Sequence, residues 1–183
     1  FVGLKGKKKY KIPGPTTAFT KITTEMALSD LPLLETELGG DELDYDKAPQ
    51  NDYQMMIRRK SKKIYNHWAV EHKDQTKKII KLVPDGGNYK DLPEDLRTTR
   101  RVNIAWTRMN SKKPCFTIDA GHNHHFHYKA NRVPTVRECS RIQSFPDRFK
   151  FYGNKTSQFR QVGNAVPPLL AEELAKQLKR IIE

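Results

Sequence analysis

The sequence RVPTVRECSRIQSFP, residues 132–146, determines its local structure most clearly. Thr135 precedes Glu138 by three positions, which is the spacing of a capping box. In that motif the hydroxyl and the carboxylate each accept a backbone N–H at the start of a helix. The spacing predicts a helix from Thr135 to about Ser144. Pro146 then ends it, because proline disfavours a helical conformation in the residue before it.

A second string, GNAVPP at residues 163–168, opens the last predicted helix. Two prolines suit the first turn of a helix, where a missing N–H costs no hydrogen bond. Apolar residues recur along this helix as one amphipathic stripe, which consists of Leu170, Leu174, Leu178 and Ile181. If the chain is studied alone, we expect this stripe to pack against another copy or a partner, or to be covered by a rearrangement of the preceding helices.

Together the two strings resemble the ninth and tenth sequence blocks of the bacterial DNA cytosine-5 methyltransferases. More than ten positions match in order and at matching separation. The matching positions to which the resemblance gives a structural role are Arg132, Thr135, Arg137, Glu138, Arg141, Gln143, Pro146 and Gly163. The resemblance covers the whole chain, strongly after Arg132 and weakly before it.

The resemblance implies a mixed α/β fold in three parts. Residues 1–19 would be the tail of a catalytic-domain strand with a basic linker. Residues 20–130 would be a small, irregular, sheet-containing target-recognition domain. Residues 131–183 would carry the ninth and tenth blocks as helices that rejoin a Rossmann-like, S-adenosylmethionine-dependent methyltransferase domain absent from this chain.

The chemistry of the family depends on motifs that this sequence of 183 residues does not contain. In the family a cysteine attacks a flipped cytosine, a glutamate holds its ring, an arginine supports this pair, and a glycine-rich loop binds S-adenosylmethionine. Those motifs would lie before Phe1, so we expect no catalytic residue here and no methyl transfer by the chain alone. The expected partners are double-stranded DNA and the catalytic N-terminal half, on the same or a separate chain. The alternative is a non-catalytic DNA-binding module or the small subunit of a split methyltransferase.

The resemblance also places the Gly-Asn turn at the edge of the methyl-donor pocket. It implies that Asn164, Ala165 and Val166 contact S-adenosylmethionine in the complete enzyme. Ala165 stands where many members of the family have serine, so a hydroxyl contact to the cofactor does not carry over.

The chain is strongly basic, with 34 Lys and Arg against 21 Asp and Glu and a net charge of +13. Nucleic acid is the commonest partner of so basic a chain, and an acidic membrane surface or an acidic protein is the alternative. Residues 96–118 hold six basic residues and no acid. The candidate DNA contacts are Thr117, Arg58, Arg97, Arg100, Arg101, Arg108 and Lys112. For each arginine a solvated basic face is the alternative interpretation.

Hydropathy and cysteine content predict a cytoplasmic location without a membrane partner. No apolar run approaches the roughly 20 residues of a transmembrane helix, and the first residues lack the features of a secretory signal. Two cysteines make neither a disulfide scaffold nor a zinc cluster, which fits a reduced compartment.

Alternating apolar residues predict two strands in the recognition domain. Val102, Ile104 and Trp106 share one face of the first. In the second, residues 115–120, the apolar side chains lie on one face and Thr117 on the other. The resemblance independently implies a phosphate contact for Thr117, because a Thr-Leu or Thr-Ile pair in the family touches a phosphate near the flipped base.

Shorter helices are expected in the first half of the chain. Residues 23–28 and 74–83 have helical patterns ended by prolines, and Asn51 is a plausible helix cap. Residues 35–50 have the composition of a loop.

Several residues allow two interpretations. Cys115 follows a proline, as the family's nucleophile does, but it precedes the ninth block, so a packing role is favoured over a catalytic one. Cys139 is expected to be buried. Arg137 and Arg141 lie one helical turn apart, and a role in holding the recognition domain is favoured over a backbone phosphate contact.

A histidine cluster also has two interpretations. Its members are His122, His124, His125 and His127. They could grip a metal ion, but no Cys or Asp ligand pattern accompanies them, so a polar loop is favoured and no metal is expected.

Overall fold

The structure is a computed structural model in which residues 9–15, 21–97, 102–103, 105–121 and 125–182 are described. The helices of this part are α1 (Thr24–Leu28), α2 (Asp52–Arg58), α3 (Asp74–Leu82), α4 (Glu94–Arg97), α5 (Val136–Ile142), α6 (Lys155–Gly163) and α7 (Pro168–Ile182). A short 3-10 helix, Tyr89–Asp91, precedes α4. None of these helices is long and apolar enough to cross a membrane.

The strands of the described residues form two small sheets. β1 (Gly39–Leu43) pairs antiparallel with β2 (Ile64–Trp68), so that the first residue of β1 lies opposite the last residue of β2. β3 (Thr107–Arg108) pairs in parallel with β4 (His125–Phe126). The mixed α/β class expected from the sequence is therefore confirmed.

Capping side chains start several helices where the sequence predicts them. The capping box of α5 is present, with both the Thr135 hydroxyl and the Glu138 carboxylate accepting backbone N–H groups. Asn51 caps α2 by accepting the N–H of Gln54 at 3.0 Å. These motifs join residues three positions apart, so local chemistry is enough to predict them.

The other predicted helices are also confirmed. α1 and α3 lie within the predicted ranges 23–28 and 74–83, and α7 starts at Pro168. The sequence did not predict α6, although Asn154 caps it by accepting the N–H of Ser157.

The loop expected at residues 35–50 is wrong over Gly39–Leu43, which forms β1. The sequence GGDEL contains no β-branched or aromatic residue, so nothing in its composition favours a strand. β1 is a strand because it pairs with β2, whose sequence IYNHW is rich in strand formers.

The strand expected from Val102 is also wrong for most of the described residues there. The Asn103 side chain accepts the N–H of Ala105 at 2.8 Å. The N–H of Trp106 donates to the Asn103 carbonyl at 2.9 Å. Asparagine favours such turns, and the turn interrupts the alternation before it reaches β3.

The second expected strand, residues 115–120, joins neither sheet. Its alternation is nevertheless present, because Ile118 is buried and Thr117 is exposed. Ile118 packs in a cluster that includes Phe159 and Val162. The alternation therefore comes from packing on α6 and not from pairing in a sheet.

Helix α5 is the central element of the fold and contacts α1, β2 and α6. The cluster around it draws on both sides of residue 130, and its buried members are Met109, Ile118, Val136, Cys139, Phe145, Phe151, Phe159 and Val162. Cys139 is buried, as expected. The predicted recognition region and the ninth block thus share one core.

Helix α7 differs from α5 because none of its described residues is buried. Leu170 is 50% exposed, and Leu174 and Leu178 are half-buried. The apolar stripe predicted from the sequence therefore keeps much of its surface accessible in the described part of the chain.

Candidate functional site

Residues of the ninth block form a buried polar network at the start of α5. Arg132 donates to both carboxylate oxygens of Glu138, at 2.8 and 2.7 Å. The same guanidinium donates to the carbonyls of Leu33 and Leu34, at 2.6 and 2.9 Å. The network therefore joins the helix cap to the segment that leads into β1.

Glu138 keeps its charge inside the core. Burial alone would raise the pKa of this carboxyl, but the guanidinium of Arg132 holds it well below its usual range. His127, whose Nε2 is 3.7 Å from Glu138, is buried, and burial lowers its pKa to about 4. Its Nδ1 accepts the N–H groups of Lys129 and Ala130, which requires that nitrogen to be unprotonated.

His67 of β2 contacts Thr135, the cap residue of α5. Its Nε2 lies 2.8 Å from the carbonyl of Pro32, and its Nδ1 lies 2.8 Å from the Thr135 hydroxyl. A carbonyl can only accept, so Nε2 carries the proton and Nδ1 accepts from Thr135. Burial lowers the pKa of His67, which favours this neutral form.

Arg141 is fully buried and neutralised by carboxylates from two parts of the chain. It donates to both oxygens of Asp147, at 2.9 and 2.6 Å, and to both oxygens of Asp30. All three side chains are 0% exposed. No surface of Arg141 is left for a DNA phosphate.

Arg137 is also 0% exposed. It donates to the carbonyl of Tyr65 at 2.7 Å and to that of Phe149 at 2.5 Å. Burial lowers its pKa to about 10, and Asp147 opposes that shift. The phosphate-contact alternative is wrong for Arg137 and Arg141, because both guanidiniums bind internal acceptors.

The carboxylates that neutralise Arg141 do not stand out in the sequence. Asp30 is 111 positions away from Arg141, so no local spacing joins them. Asp147 directly follows the Phe-Pro that ends the helix, and its place beside an arginine-rich block is the one signal that suggests a partner.

Gln143 and Pro146 link the end of α5 to its neighbours. Gln143 donates from its side-chain amide to the carbonyl of Val162, at 3.4 Å. The carbonyl of Pro146 accepts the N–H of Phe149 at 2.9 Å. Both contacts are internal, and the first of them reaches the end of α6.

At that end, Gly163 lies against the backbone of the segment 117–120. A Cβ added to Gly163 would lie 2.6 Å from the carbonyl carbon of Asp119 and 2.6 Å from the nitrogen of Ala120. The structure thus brings the Gly-Asn turn and the segment of Thr117 into direct contact. Sequence spacing gave no indication of this contact.

The turn that follows Gly163 carries the three candidate cofactor residues. Asn164 is exposed, Val166 is 58% exposed, and Ala165 packs against the cluster around α5. The backbone N–H of Asn164 is used by α6, while its amide side chain is at the surface. The structure thus leaves a polar and an apolar side chain accessible at this turn.

Arg108 is buried, with internal hydrogen-bond acceptors. It is 5% exposed, and its guanidinium donates to the carbonyls of Ile80, Val83, His127 and Ala130 and to the side chain of Asn131. Its guanidinium thus ties the end of α3 to the loop after β4, which argues against Arg108 as a DNA contact.

Arg58 is also occupied by internal partners. It donates to Asp30 at 3.1 Å and to the carbonyl of Lys47 at 2.7 Å. Its guanidinium lies 3.6 Å from the centre of the Tyr45 ring, and its side chain is 16% exposed. These contacts argue against Arg58 as a DNA contact.

The remaining basic candidates lie at the surface or outside the described residues. Arg97 is exposed. Lys112 is exposed and pairs with Glu25. Arg100 and Arg101 lie outside the described residues.

The surroundings of Cys115 and of the histidine cluster bear on the catalytic and metal-binding alternatives. Cys115 is half-buried, and burial raises the pKa of its thiol to about 12, which opposes a reactive thiolate. Among the described residues no group of three or more His, Cys, Asp or Glu could hold a metal ion. His122 and His124 lie outside the described residues.

Comparison with known proteins identifies the family. The sequence model of the C-5 cytosine-specific DNA methylases matches residues 1–180. The chain belongs to this family. Type II methyltransferase M.DdeI of Desulfomicrobium norvegicum is 34% identical over 207 residues, which cover 100% of this chain and 50% of that protein. Type II methyltransferase M1.HphI of Haemophilus parahaemolyticus is 42% identical over 118 residues, which cover 64% of this chain and 32% of that protein.

A solved structure has a similar fold. An E. coli protein described as a DNA modification methyltransferase encoded within a prophage matches with a TM-score of 0.69 and 22% identity, over 90% of this chain and 48% of that chain. The chain spans about half the length, or less, of these three proteins.

Proposed function

We propose that the chain supplies the target-recognition region and the C-terminal blocks of a DNA cytosine-5 methyltransferase. The observation that carries this proposal is the packing of the Gly163 turn against the segment of Thr117. It puts the candidate cofactor turn beside the candidate DNA contact. In the complete enzyme a cytosine would be flipped out of the duplex, and S-adenosylmethionine would supply the methyl group for its carbon 5.

Within this proposal, residues 20–130 select the target sequence and residues 131–183 hold them in place. The buried arginines of α5 support this division of roles. Arg137 binds a carbonyl of β2 and Arg141 binds the carboxylate after α1, so α5 fixes elements of the recognition region through internal hydrogen bonds.

DNA binding is assigned to exposed residues. Thr117, Arg97 and Lys112 are exposed, and Arg100 and Arg101 belong to the same acid-free stretch. Arginine and lysine bind phosphates through their charge, whereas a threonine hydroxyl makes a single positioned contact.

The nucleophile, the glutamate and the donor-binding loop are assigned to the catalytic N-terminal half, on the same or a separate polypeptide. Two observations support such a partner. The chain matches half or less of its relatives, and the stripe of α7 has no buried residue in the described part of the chain. This partner would cover the stripe and supply the methyl-donor pocket that the Asn164 turn would border.

Transfer of radiolabelled methyl groups to DNA tests the proposal. The chain alone should transfer none, and addition of a polypeptide with the missing blocks should restore transfer. A partner with its nucleophilic cysteine changed to alanine is the control and should not restore it. Methylation by the chain alone would overturn the proposal. DNA binding without methylation in the presence of a competent half would favour the non-catalytic module.

A further inference from the structure

The contact between Gly163 and residues 119–120 is closer than any side chain allows. A Cβ at Gly163 would be 2.6 Å from the Asp119 carbonyl carbon, 2.6 Å from the Ala120 nitrogen and 2.8 Å from the Asp119 oxygen. Non-bonded carbon atoms are most stable at about 3.5 to 4.0 Å. All three atoms belong to the backbone, so no side-chain rotation relieves the overlap.

Gly163 is needed for space and not for backbone conformation. Positive φ angles occur among the described glycines at Gly39, Gly86 and Gly153, where a side chain would strain the backbone. Gly163 is not one of them and ends an ordinary α-helix. A methyl group there conflicts only with the neighbouring segment.

Both α6 and the segment 117–120 are held in place by buried side chains. On one side, Val162 is 0% and Phe159 1% exposed, and on the other Ile118 is 5% exposed. These three side chains pack in the same cluster. Since protein cores are close-packed, the overlap must displace one side, and the segment 117–120 is the less firmly held of the two because Thr117 and Asp119 are exposed.

We propose that Gly163 is a positioning residue for Thr117. Close approach of α6 to the backbone of residues 119–120 sets the place of the Thr117 hydroxyl relative to the turn of Asn164. This inference rests on the proposed function, in which Thr117 meets a phosphate near the flipped base. Gly163 therefore fixes where the DNA strand lies relative to the methyl donor.

A double-mutant cycle tests the proposal in the chain combined with its catalytic half. Gly163→Ala, Thr117→Val and the double variant are compared for DNA affinity between about 50 and 200 mM salt. Gly163→Ala should weaken binding about tenfold at every salt concentration and leave the salt slope unchanged, because an uncharged hydroxyl neutralises no phosphate. The double variant should bind no more weakly than Thr117→Val, because both changes remove the same interaction.

The matched control is Gly40→Ala. An added Cβ at Gly40 meets its nearest neighbours at 3.7 to 4.0 Å, which is ordinary contact, so its affinity should equal that of the parent. Normal affinity of Gly163→Ala, or losses of the two single variants that multiply in the double variant, would overturn the proposal. If Thr117→Val alone still weakens binding in either case, the proposed function stands.

Two further measurements test the proposal if Gly163→Ala folds poorly or if the assembly does not bind DNA. Ile118→Val shortens the buried anchor of the same segment without an overlap, and it should weaken binding about two- to threefold, again not additively with Thr117→Val.

Amide hydrogen exchange can be measured without DNA. It should be faster at residues 117–121 in Gly163→Ala than in Gly40→Ala, and equal rates would overturn the proposal. If the parent assembly fails to bind DNA while exchange differs as expected, the proposed function fails and the positioning contact stands.

Discussion

Arg132 and Glu138 form a bidentate ion pair in which the side chains are 4% and 1% exposed. The same carboxylate accepts the N–H of Thr135 at 2.7 Å and so completes the cap of α5. One carboxyl group therefore neutralises a buried arginine and starts the central helix of the fold. Its loss should affect stability more than the loss of any surface charge.

Glu138→Gln should lower the free energy of unfolding by about 3 to 5 kcal/mol, because it leaves a buried guanidinium without a counter-charge. Urea unfolding at neutral pH measures this. The control is Glu172→Gln, which removes an exposed partner of Lys176 and should cost less than about 1 kcal/mol. Equal effects of the two changes would show that the buried pair does not stabilise the fold.

Stability should fall between pH 7 and pH 5 because of the buried histidines. His127 has a pKa of about 4 in the folded chain, against about 6.5 when unfolded. The unfolded chain therefore binds more protons in this window, and the free energy of unfolding falls as pH falls. His67 acts in the same direction, since burial lowers its pKa too.

The variant that tests this is His127→Asn, which keeps an acceptor for the nearby N–H groups and cannot titrate. Its decline in stability between pH 7 and pH 5 should be smaller than that of the parent by about 1 to 2 kcal/mol. From pH 8 to pH 7 the two curves should run parallel. A parent curve that is flat from pH 7 to pH 5 would contradict the buried neutral histidine.

Arg100→Ala with Arg101→Ala should flatten the dependence of DNA affinity on salt by about one unit for each phosphate that the variant no longer neutralises.

Arg108→Lys should leave the salt dependence of DNA affinity unchanged and lower the free energy of unfolding by about 2 kcal/mol, since lysine cannot replace the hydrogen bonds of the guanidinium. Fluorescence anisotropy and urea unfolding measure the two effects. Lys81→Ala, an exposed charge on α3, is the control for net charge. A flatter slope for Arg108→Lys would contradict its internal role.

The stripe of α7 should cause the isolated chain to associate. Each apolar side chain covered contributes about 1.5 to 3 kcal/mol, so Leu174→Asp with Leu178→Asp should give a monomer in sedimentation experiments. Ala175→Asp, at an exposed position of the same helix, should leave association unchanged. A monomeric parent whose stability the double change does not alter would exclude the stripe as an interface.

Sequence alone predicts the parts of this fold that depend on near neighbours. The capping box of Thr135 and the cap of Asn51 each join positions three apart. Partners distant in sequence give no such signal, as Asp30 and Arg141 show. The sequence GGDEL becomes a strand only because β2 lies beside it, and propensity does not describe that pairing.

The candidate site was predicted to a similar extent. Thr117 is exposed, as its alternation indicates. Arg108 has the same charge and lies in the same basic stretch as Arg97, yet it is buried. Charge along the sequence predicts that a region is basic, but the direction of each side chain depends on which carbonyl groups the fold leaves without donors.

The hydrogen bonds of α5 also bear on how new sequence specificities could be built. A chimera that took residues 20–130 from a relative would replace Asp30 and His67, the partners of Arg141 and Thr135. A graft compatible with this α5 would have to supply a carboxylate and an imidazole at those places. The unit that can be transplanted is therefore set by these hydrogen bonds and not by the boundary between sequence blocks.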